Sequence, residues 1–359
     1  MTRSYVCAAL LLCAIACDSD ETDTPPDAQV PDVGPPASAY QEPPSTLEGW
    51  NLFDDAQKQA PGARTYSYEV IAPLFADYAL KQRFVYVPEG ATIGYAPEDV
   101  WTLPERSILI KTFSYPDDQR QPEGHKRLLE TRLLVFTEGE VQVHTYVWDE
   151  AGKHNTRKVA GAKIPVEWTH YDGSTRDNDY LVPNTNQCFD CHGERGKTHT
   201  LGLRTRQFDR DGQIERFDSE GLFDRTPEPY DERERLVDPL GDAPLSDRAR
   251  SFLDSNCSQC HTQGGDASES GLWIDWKHTG PEYPPSTWGV CKRPTSAGGA
   301  TCGNEVDIAP GEPERSIFIC RMRSSDPKVQ MPPLGRNLVN DEAVELIHTW
   351  IASLDGDCK

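Results

Sequence analysis

Two short segments of the chain share one pattern, Cys-x-x-Cys-His, at residues 188–192 and 257–261. Covalent attachment of a c-type haem uses this pattern, because the two thiols form thioethers with the haem vinyl groups and the adjacent imidazole binds the iron. A redox-active cysteine pair or half of a zinc site also needs two cysteines, but neither gives the following histidine a role. The pattern therefore predicts two haem c groups, bound through Cys188, Cys191, Cys257 and Cys260.

The histidine of each motif, His192 or His261, is the predicted first axial ligand of its haem. The chain has three methionines: Met1, Met322 in a predicted helix, and Met331 in the segment Gln-Met-Pro-Pro-Leu-Gly. A methionine fixed beside two prolines can present its thioether to a metal, so we predict Met331 as the ligand opposite His261. The alternative is that Met331 fills a gap in the core, the commoner role of methionine.

For the second axial position of the first haem, the sequence allows two alternatives: a histidine ligand or no protein ligand. No further methionine is free for it unless Met322 leaves its helix. His199 lies only seven residues after His192, and this is a short segment to reach the opposite side of the haem ring. Surface and strand histidines are commoner than ligating ones. The candidates are His125, His144, His170 and His199.

The N-terminus predicts export. Arg3 precedes a 12-residue apolar stretch, Tyr5–Ala16, which is too short to cross a membrane and has the order of a signal peptide. The segment Ala14-Ile15-Ala16-Cys17 resembles a bacterial lipoprotein processing site, although that family usually has Leu where this chain has Ala14. The resemblance implies a signal peptide over 1–16 and a lipid on Cys17. A plain cleaved signal peptide is the alternative.

The segment that follows predicts a tether. Residues 18–48 hold eight acidic residues, seven prolines and neither Lys nor Arg. Such a composition cannot bury enough apolar surface to offset chain entropy. We therefore expect the lipid site and a disordered acidic tether over 17–48, which would hold the folded part at a membrane face on the periplasmic side.

Cysteine counting predicts disulfides. Of eleven cysteines, three precede residue 18 and four belong to the two motifs. The remaining four form an even set in an exported chain, so two disulfides are expected. Four cysteines allow three pairings. We favour Cys291 with Cys302, across a Gly-rich loop, and Cys320 with Cys358.

The stretch 49–182 predicts a β-rich domain. Four runs rich in β-branched and aromatic residues are separated by Gly, Pro and Asp. Glu138-Gly139 between the last two runs predicts a tight hairpin turn. No P-loop, nucleophile elbow, zinc-protease motif or dinucleotide fingerprint occurs there. The runs are 84–87, 107–113, 128–136 and 141–148.

The end of the chain predicts helices. Ser246 can cap a helix over 247–256 that ends at Cys257, and Asn340 can cap one that continues to about Leu354. A third helix is expected over 313–323, with proline at its start. The intervening stretch 183–245 holds the first haem motif and is rich in Gly and charge.

The charge of the chain excludes one class of partner. The formal net charge is −22 and no run of Lys or Arg occurs, whereas nucleic-acid binding needs basic faces. Apart from the export signal, no apolar run approaches the 20 or so residues that span a membrane. The expected partners are redox proteins and, through the N-terminal lipid, a membrane. The sequence sets no oligomeric state.

Residues 246–359 resemble a class I cytochrome c domain in the order helix, Cys-x-x-Cys-His, long loop, Met and final helix. Residues 70–355 further resemble a family of bacterial dihaem c-type cytochromes that join a β-rich N-terminal region to such a domain. The shared stretches are LLETRLLVF, YVW, YLVPNTNQCFDCHG, the segment around Cys257, and MPPLGR. The resemblance implies an α+β fold with an all-β, sandwich-like domain over 49–182, a haem-binding segment over 183–245 and an all-α class I cytochrome c domain over 246–359.

The expected function is electron transfer by an exported dihaem cytochrome, between a redox partner or membrane chain and a periplasmic acceptor. One alternative is a peroxidase-like haem enzyme with an open first haem. Another is a binding or sensor protein that carries haem. Because fold-level analogy does not decide function, all three are kept.

Overall fold

The largest element of the protein is a six-stranded antiparallel sheet. It is seen in a computed structural model that describes residue 1 and residues 34–194, 197–198, 200–295 and 301–358. The predicted signal peptide, the lipid site Cys17 and most of the predicted tether lie outside these residues.

The sheet is a meander whose strands follow each other in chain order. Its four long strands cover the four predicted runs, and these predictions are confirmed. The predicted turn is also confirmed, since Glu138 and Gly139 both have the positive φ that a tight hairpin requires. The strands are β3 Thr65–Tyr68, β4 Leu80–Tyr86, β5 Ile108–Pro116, β6 Lys126–Thr137, β7 Glu140–Trp148 and β8 Asn155–Arg157.

Both faces of the sheet are covered, because successive residues of a strand point to opposite sides. One face packs on the segment that precedes the sheet, through Phe84, Tyr86, Ile108 and Ile110. The other face carries two separate apolar clusters. The first packs on residues 203–223 and the second on residues 164–182.

Shorter elements flank the sheet. Two hairpins precede and follow it, β1 Phe53–Asp55 with β2 Ala60–Pro61 and β9 Ala162–Thr169 with β10 Thr175–Val182. Among the described residues no helix is long and apolar enough to span a membrane. The remaining elements before residue 245 are α1 Thr185–His192, β11 Gly193–Glu194, β12 Lys197–Thr198, α2 Thr205–Phe208 and α3 Gln213–Ser219.

The ordered structure reaches into the predicted tether. That prediction extends to residue 48, but residues 37–40 and 47–50 form 3-10 helices. Ala39, Tyr40 and Leu47 are buried against the sheet, and the Leu47 N–H donates to the Asn155 side chain at 2.6 Å. A few apolar residues thus anchor the end of a segment whose average composition is that of a disordered chain.

The fold-class prediction is wrong for the end of the chain, because residues 246–359 do not form an all-α class I cytochrome c domain. Among the described residues of this range, only α4 Leu245–Asn256, α5 Ile317–Arg323 and α6 Asp341–Ala352 are α-helices. Turns, short 3-10 helices and isolated β-bridges occupy the rest of the described stretch. The physical reason is local, since five glycines between residues 264 and 311 have positive φ, which interrupts helices.

The helix ends agree only in part with the sequence. Asn340 caps α6 as predicted, because its side-chain oxygen accepts from the Ala343 N–H at 3.1 Å. Ser246 does not cap α4, which begins at Leu245 after Pro244. The predicted helix over 313–323 is a 3-10 turn, Pro313–Arg315, followed by α5.

Two disulfides are present, but the favoured pairing is wrong. Cys291 pairs with Cys358, and Cys302 pairs with Cys320, with Cα atoms 5.1 Å and 6.5 Å apart. Cys320 lies on α5 and Cys358 follows α6. The packing of these helices, and not the distance along the chain, therefore decides which cysteines meet.

Buried polar contacts tie the C-terminal helices to the sheet region. Arg206 forms an ion pair with Asp254 of α4 at 3.0 Å, with both side chains buried. The Asp77 carboxylate accepts from the backbone N–H groups of Asn337 and Leu338 at 2.8 and 2.9 Å. The described residues from 34 onward therefore form one compact unit.

Candidate functional site

The second Cys-x-x-Cys-His motif continues helix α4 by one turn. The Cys257 N–H donates to the Leu253 carbonyl, and the His261 N–H donates to the Cys257 carbonyl, each at 3.0 Å. This turn sets His261 one helical turn after Cys257. The apolar side of α4, through Ala249 and Phe252, packs on α5 and α6 and fixes the position of the motif.

The cysteine and histidine of this motif are half-buried. Cys257 packs against the apolar cluster of α4, α5 and α6, and burial raises the pKa of its thiol to about 12. Burial also lowers the pKa of His261, with Arg321 and Lys292 acting in the same direction and the Leu272 backbone opposing them. The imidazole is therefore neutral, the form that binds a metal.

One atom of His261 lacks a partner. Its Nδ1 is fully buried, and no acceptor lies at hydrogen-bonding geometry among the described residues. The Leu272 backbone raises the pKa of the ring, but it forms no hydrogen bond with Nδ1. A ligating histidine usually directs its second nitrogen to a backbone carbonyl or a carboxylate, and Nδ1 has no such partner among the described residues.

Met331 lies on a loop that is held at both of its backbone groups. Its N–H donates to the Arg321 carbonyl at 3.0 Å, and its carbonyl accepts from the Arg336 guanidinium at 3.0 Å. Its side chain is half-buried, whereas Met322 is buried in the apolar cluster. Arg321 connects this loop with the motif, since its charge acts on His261.

Arg336 organises the Met331 loop, a role that the sequence reading missed. Its guanidinium is buried and donates to five backbone carbonyls at distances between 2.9 and 3.3 Å. A rigid fork of donors suits such a task. The only sequence signal is the position of this Arg in the Met-Pro-Pro-Leu-Gly-Arg stretch. The carbonyls belong to Arg321, Met322, Ser324, Met331 and Leu338.

The first motif lies on helix α1, which packs against β7. Cys188 is buried, and its thiol is 3.5 Å from the Asn184 carbonyl. His192 follows one turn later and is half-buried. Residues i and i+4 share one face of a helix, so Cys188 and His192 are on the same side. The side chain of Cys191 is outside the described part of the structure.

The candidate second ligands of the first haem have other contacts. His125 is exposed beside Asp117. His144 packs on Trp50, on the sheet face opposite to its strand neighbour Thr145. The buried His170 packs edge-on against Tyr78, with Nε2 3.9 Å from the Glu342 carboxylate. His199 lies outside the described residues.

A row of basic residues crosses the sheet beneath the first motif. Arg83, Lys111 and Arg132 are direct cross-strand partners on β4, β5 and β6, and Lys81 lies two residues before Arg83 on the same face. We call these four residues the cationic row. The charge of Arg132 acts on Cys188, which brings the row close to α1. The sequence signal was visible but was not used: two of the four predicted strands, 107–113 and 128–136, carry charges among apolar residues.

The residues present fit a covalently bound haem at the second motif. A half-buried neutral imidazole, a neighbouring half-buried thiol and a fixed methionine loop meet the chemical needs of such a group. A raised thiol pKa does not suit a redox-active cysteine pair, which depends on the thiolate. Within the described ranges no three His, Cys, Asp or Glu side chains are grouped to hold a metal ion. A haem iron needs only one or two ligands from the protein.

Comparison with known proteins adds no relative. No family model matches the chain, and neither a curated protein nor a solved structure matches it. The motifs and the geometry around them are therefore the ground on which a function is argued.

Proposed function

We propose that this protein is an exported dihaem c-type cytochrome that carries electrons between a redox partner or membrane chain and an acceptor on the periplasmic side. One haem would be attached at Cys188 and Cys191 with His192 as ligand, the other at Cys257 and Cys260. The surroundings of His261 carry the proposal. A half-buried neutral imidazole follows α4 and is affected by the charge of Arg321, whose carbonyl accepts from the Met331 N–H.

When bound, each haem would supply one-electron chemistry, accepting an electron from a donor and giving it to an acceptor as iron alternates between the ferric and ferrous states. The chain determines how readily this happens. With haem bound, the thioether of Met331 and the apolar cluster around Cys257 would favour the ferrous state, because thioether ligation and burial both raise the reduction potential. The Arg336 clamp keeps the thioether in place.

The location of the proposed cytochrome depends on the N-terminus alone. The apolar stretch Tyr5–Ala16, the cysteine at 17 and the acidic segment after it support export and lipid attachment. Metabolic labelling with a radioactive fatty acid tests this directly. Label on the intact chain that disappears in Cys17→Ser supports the lipid anchor, and an unlabelled intact chain contradicts it.

The number of covalent haems tests the proposal most directly. The protein is exported from a host that has haem-attachment machinery, and haem per chain is measured as the pyridine haemochrome. We expect two haems in the natural chain and one after the double exchange of Cys to Ser at either motif. Asp190→Ser and Gln259→Ser are the matched controls, because each alters the same motif without removing a thiol. Fewer than two haems in the natural chain contradicts the proposal.

Spectra of the same preparation separate the proposal from its rivals. Electron transfer predicts two low-spin haems that do not react with peroxide. A high-spin, five-coordinate first haem that peroxide oxidises favours a haem enzyme. Binding of a partner with equal affinity in both redox states favours a sensor or binding protein.

A further inference from the structure

The cationic row is an unusual arrangement for the middle of a sheet. Arg83, Lys111 and Arg132 face one another directly across three neighbouring strands, where like charges repel. Apolar clusters lie on the same face on both sides of the row. If packing were the only requirement, we would expect apolar residues at these positions as well. The basic residues therefore indicate a requirement other than packing.

The carboxylates beside the row do not balance it. Glu130 is fully buried and is hydrogen-bonded to Arg132 and to the Tyr180 hydroxyl. Glu69 is mostly exposed and lies 3.5 Å from Arg83. When both lysines are protonated, four basic side chains against these two carboxylates leave two positive charges. The charge of Asp77 also acts on Lys81, but its oxygens already accept from Asn178, Asn337 and Leu338.

The two lysines lack carboxylate partners. The Lys111 ammonium lies 5.0 Å from the centre of the Phe113 ring and bonds to no acceptor among the described residues. The Lys81 ammonium has only the Ala79 carbonyl, at 3.4 Å. Burial lowers the pKa of Lys111 well below its ordinary value, and the neighbouring Arg83, Lys81 and Arg132 lower it further. Unpaired charge on half-buried side chains such as Lys81 and Lys111 is destabilising, and a ligand of opposite charge removes this cost.

The row lies where the first motif would place a haem. Helix α1 packs against β7, and Thr145 of β7 is the direct cross-strand partner of Arg132. The thiol of Cys188 is near enough to Arg132 for their charges to interact. A flat ring attached at Cys188 would therefore have this face of the sheet within reach.

We propose that the cationic row binds the two propionate carboxylates of the haem attached at Cys188 and Cys191. Two uncompensated positive charges match the two carboxylates that a haem carries. The inference rests on the proposed function and names the residues that would position the first haem. A free anion from solution, such as phosphate, has the same chemistry, and the experiment distinguishes the two sources.

Lys111→Met is the variant of choice, because it removes one charge and keeps the length of the side chain. Lys81→Met is a second, independent variant of the row. Lys126→Met is the matched control, since it removes a lysine from the end of the same sheet, where Lys126 pairs with Glu123. All three are prepared with haem attached, and haem per chain is measured first. Redox titration and the haem propionate bands of the resonance Raman spectrum are then recorded.

We expect two haems in every variant. In Lys111→Met and Lys81→Met one reduction potential falls and the propionate bands shift, whereas the other potential does not change. Loss of a nearby positive charge favours the ferric state, which explains the direction. In the control Lys126→Met, the propionate bands should not shift, and both potentials should change only as much as the loss of one distant charge requires.

Three results would overturn the inference. Unchanged propionate bands in both row variants, in chains with two haems, would remove the inference and leave the proposed function intact. A natural-chain potential that responds to added phosphate at constant ionic strength, with unchanged bands, would assign the row to a free anion. A chain without haem at the first motif would overturn the inference and the proposed function together.

Discussion

The two haem motifs have the same sequence pattern and very different surroundings. The first lies on a helix beside a sheet face that carries four basic residues and a buried glutamate. The second ends a helix inside an apolar cluster, beside a methionine loop that is pinned by a buried arginine. If haem is attached as we propose, the motif specifies the attachment, and the residues around it specify what the attached group can do.

This difference predicts an order of reduction potentials. Apolar burial and thioether ligation favour reduction at the second motif. At the first motif, the positive charges of the cationic row and the negative charges of two propionates would cancel. No second methionine is free to act as its axial ligand, because Met322 is buried in the apolar cluster. We expect the second haem to have the higher potential, so that electrons pass from the first motif to the second.

Exchanging the methionine is the strongest way to break this order. Axial ligands tune haem potentials over a range of about 0.8 V, so Met331→Leu should lower the higher potential by an amount on the order of 0.2 V. The lower potential should not move. Potentiometric titration with optical detection measures both values in one experiment.

Met322 provides a control of the same residue type. Met322→Leu conserves volume in the apolar cluster and should cost less than about 1.5 kcal/mol of stability. Both potentials should stay as in the natural chain. An equal fall in potential for the two methionine variants would show that packing, and not ligation, sets the difference.

The disulfides belong to the second region only, so their removal sharpens the comparison. In the chain-entropy model, closing a loop of 67 residues stabilises the fold by about 4 kcal/mol, and closing one of 18 residues by about 3 kcal/mol. Cys291→Ser with Cys358→Ser should therefore cost more than Cys302→Ser with Cys320→Ser. Chemical denaturation measures the losses, and the spectrum of the first haem should not change.

Peptide mapping without reduction checks the pairing itself. The structure predicts one linked peptide pair containing Cys291 and Cys358, and one containing Cys302 and Cys320. A peptide pair that links Cys291 to Cys302 would restore the pairing expected from the sequence and contradict the fold of this region.

Local patterns in the sequence were enough to predict the sheet. The runs around Ile110 and Leu133 alternate between two buried faces, and the turn at Glu138-Gly139 joins adjacent strands. Each of these signals acts over a few residues. The cap at Asn340 and the buried side of α6 were predicted for the same reason.

The errors arise where distant segments meet. Nothing near Cys291 in sequence shows that Cys358 will reach it, because that contact depends on how α6 packs. The all-α prediction followed a resemblance across the whole region and ignored glycines such as Gly289, which close turns. The cationic row was missed because its members lie on different strands, so that only the register brings Arg83, Lys111 and Arg132 together.

Removing the arginine clamp should disturb the second region and spare the first. Arg336→Leu withdraws a buried guanidinium from five backbone carbonyls, and we expect a loss of about 3 kcal/mol of stability. Arg323→Leu, which removes an exposed arginine beside Glu314, should cost no more than about 0.5 kcal/mol. If the higher potential survives in Arg336→Leu, the clamp is structural and does not position Met331.

The smallest expected effect is a pH dependence that belongs to the first region. Burial lowers the pKa of Lys81 to about 7, and the charges of Arg83 and Arg132 add to this. Without the first haem, the folded chain holds Lys81 neutral between about pH 7 and 10.5, while the unfolded chain is still protonated. The unfolded state then binds the extra proton, so stability rises with pH across this window and is lost as pH falls towards 7.

The chain that lacks the first haem, Cys188→Ser with Cys191→Ser, is the one in which to measure this slope. Lys81→Met in that background should flatten the rise in the free energy of unfolding between pH 7 and 10, whereas Lys126→Met should not. With haem attached, propionates beside the row would return Lys81 to its charged form and reduce the slope in the natural chain as well. Equal slopes with and without the first haem would mean that no anion compensates the row, and the contrast between the two motifs would then depend on the methionine alone.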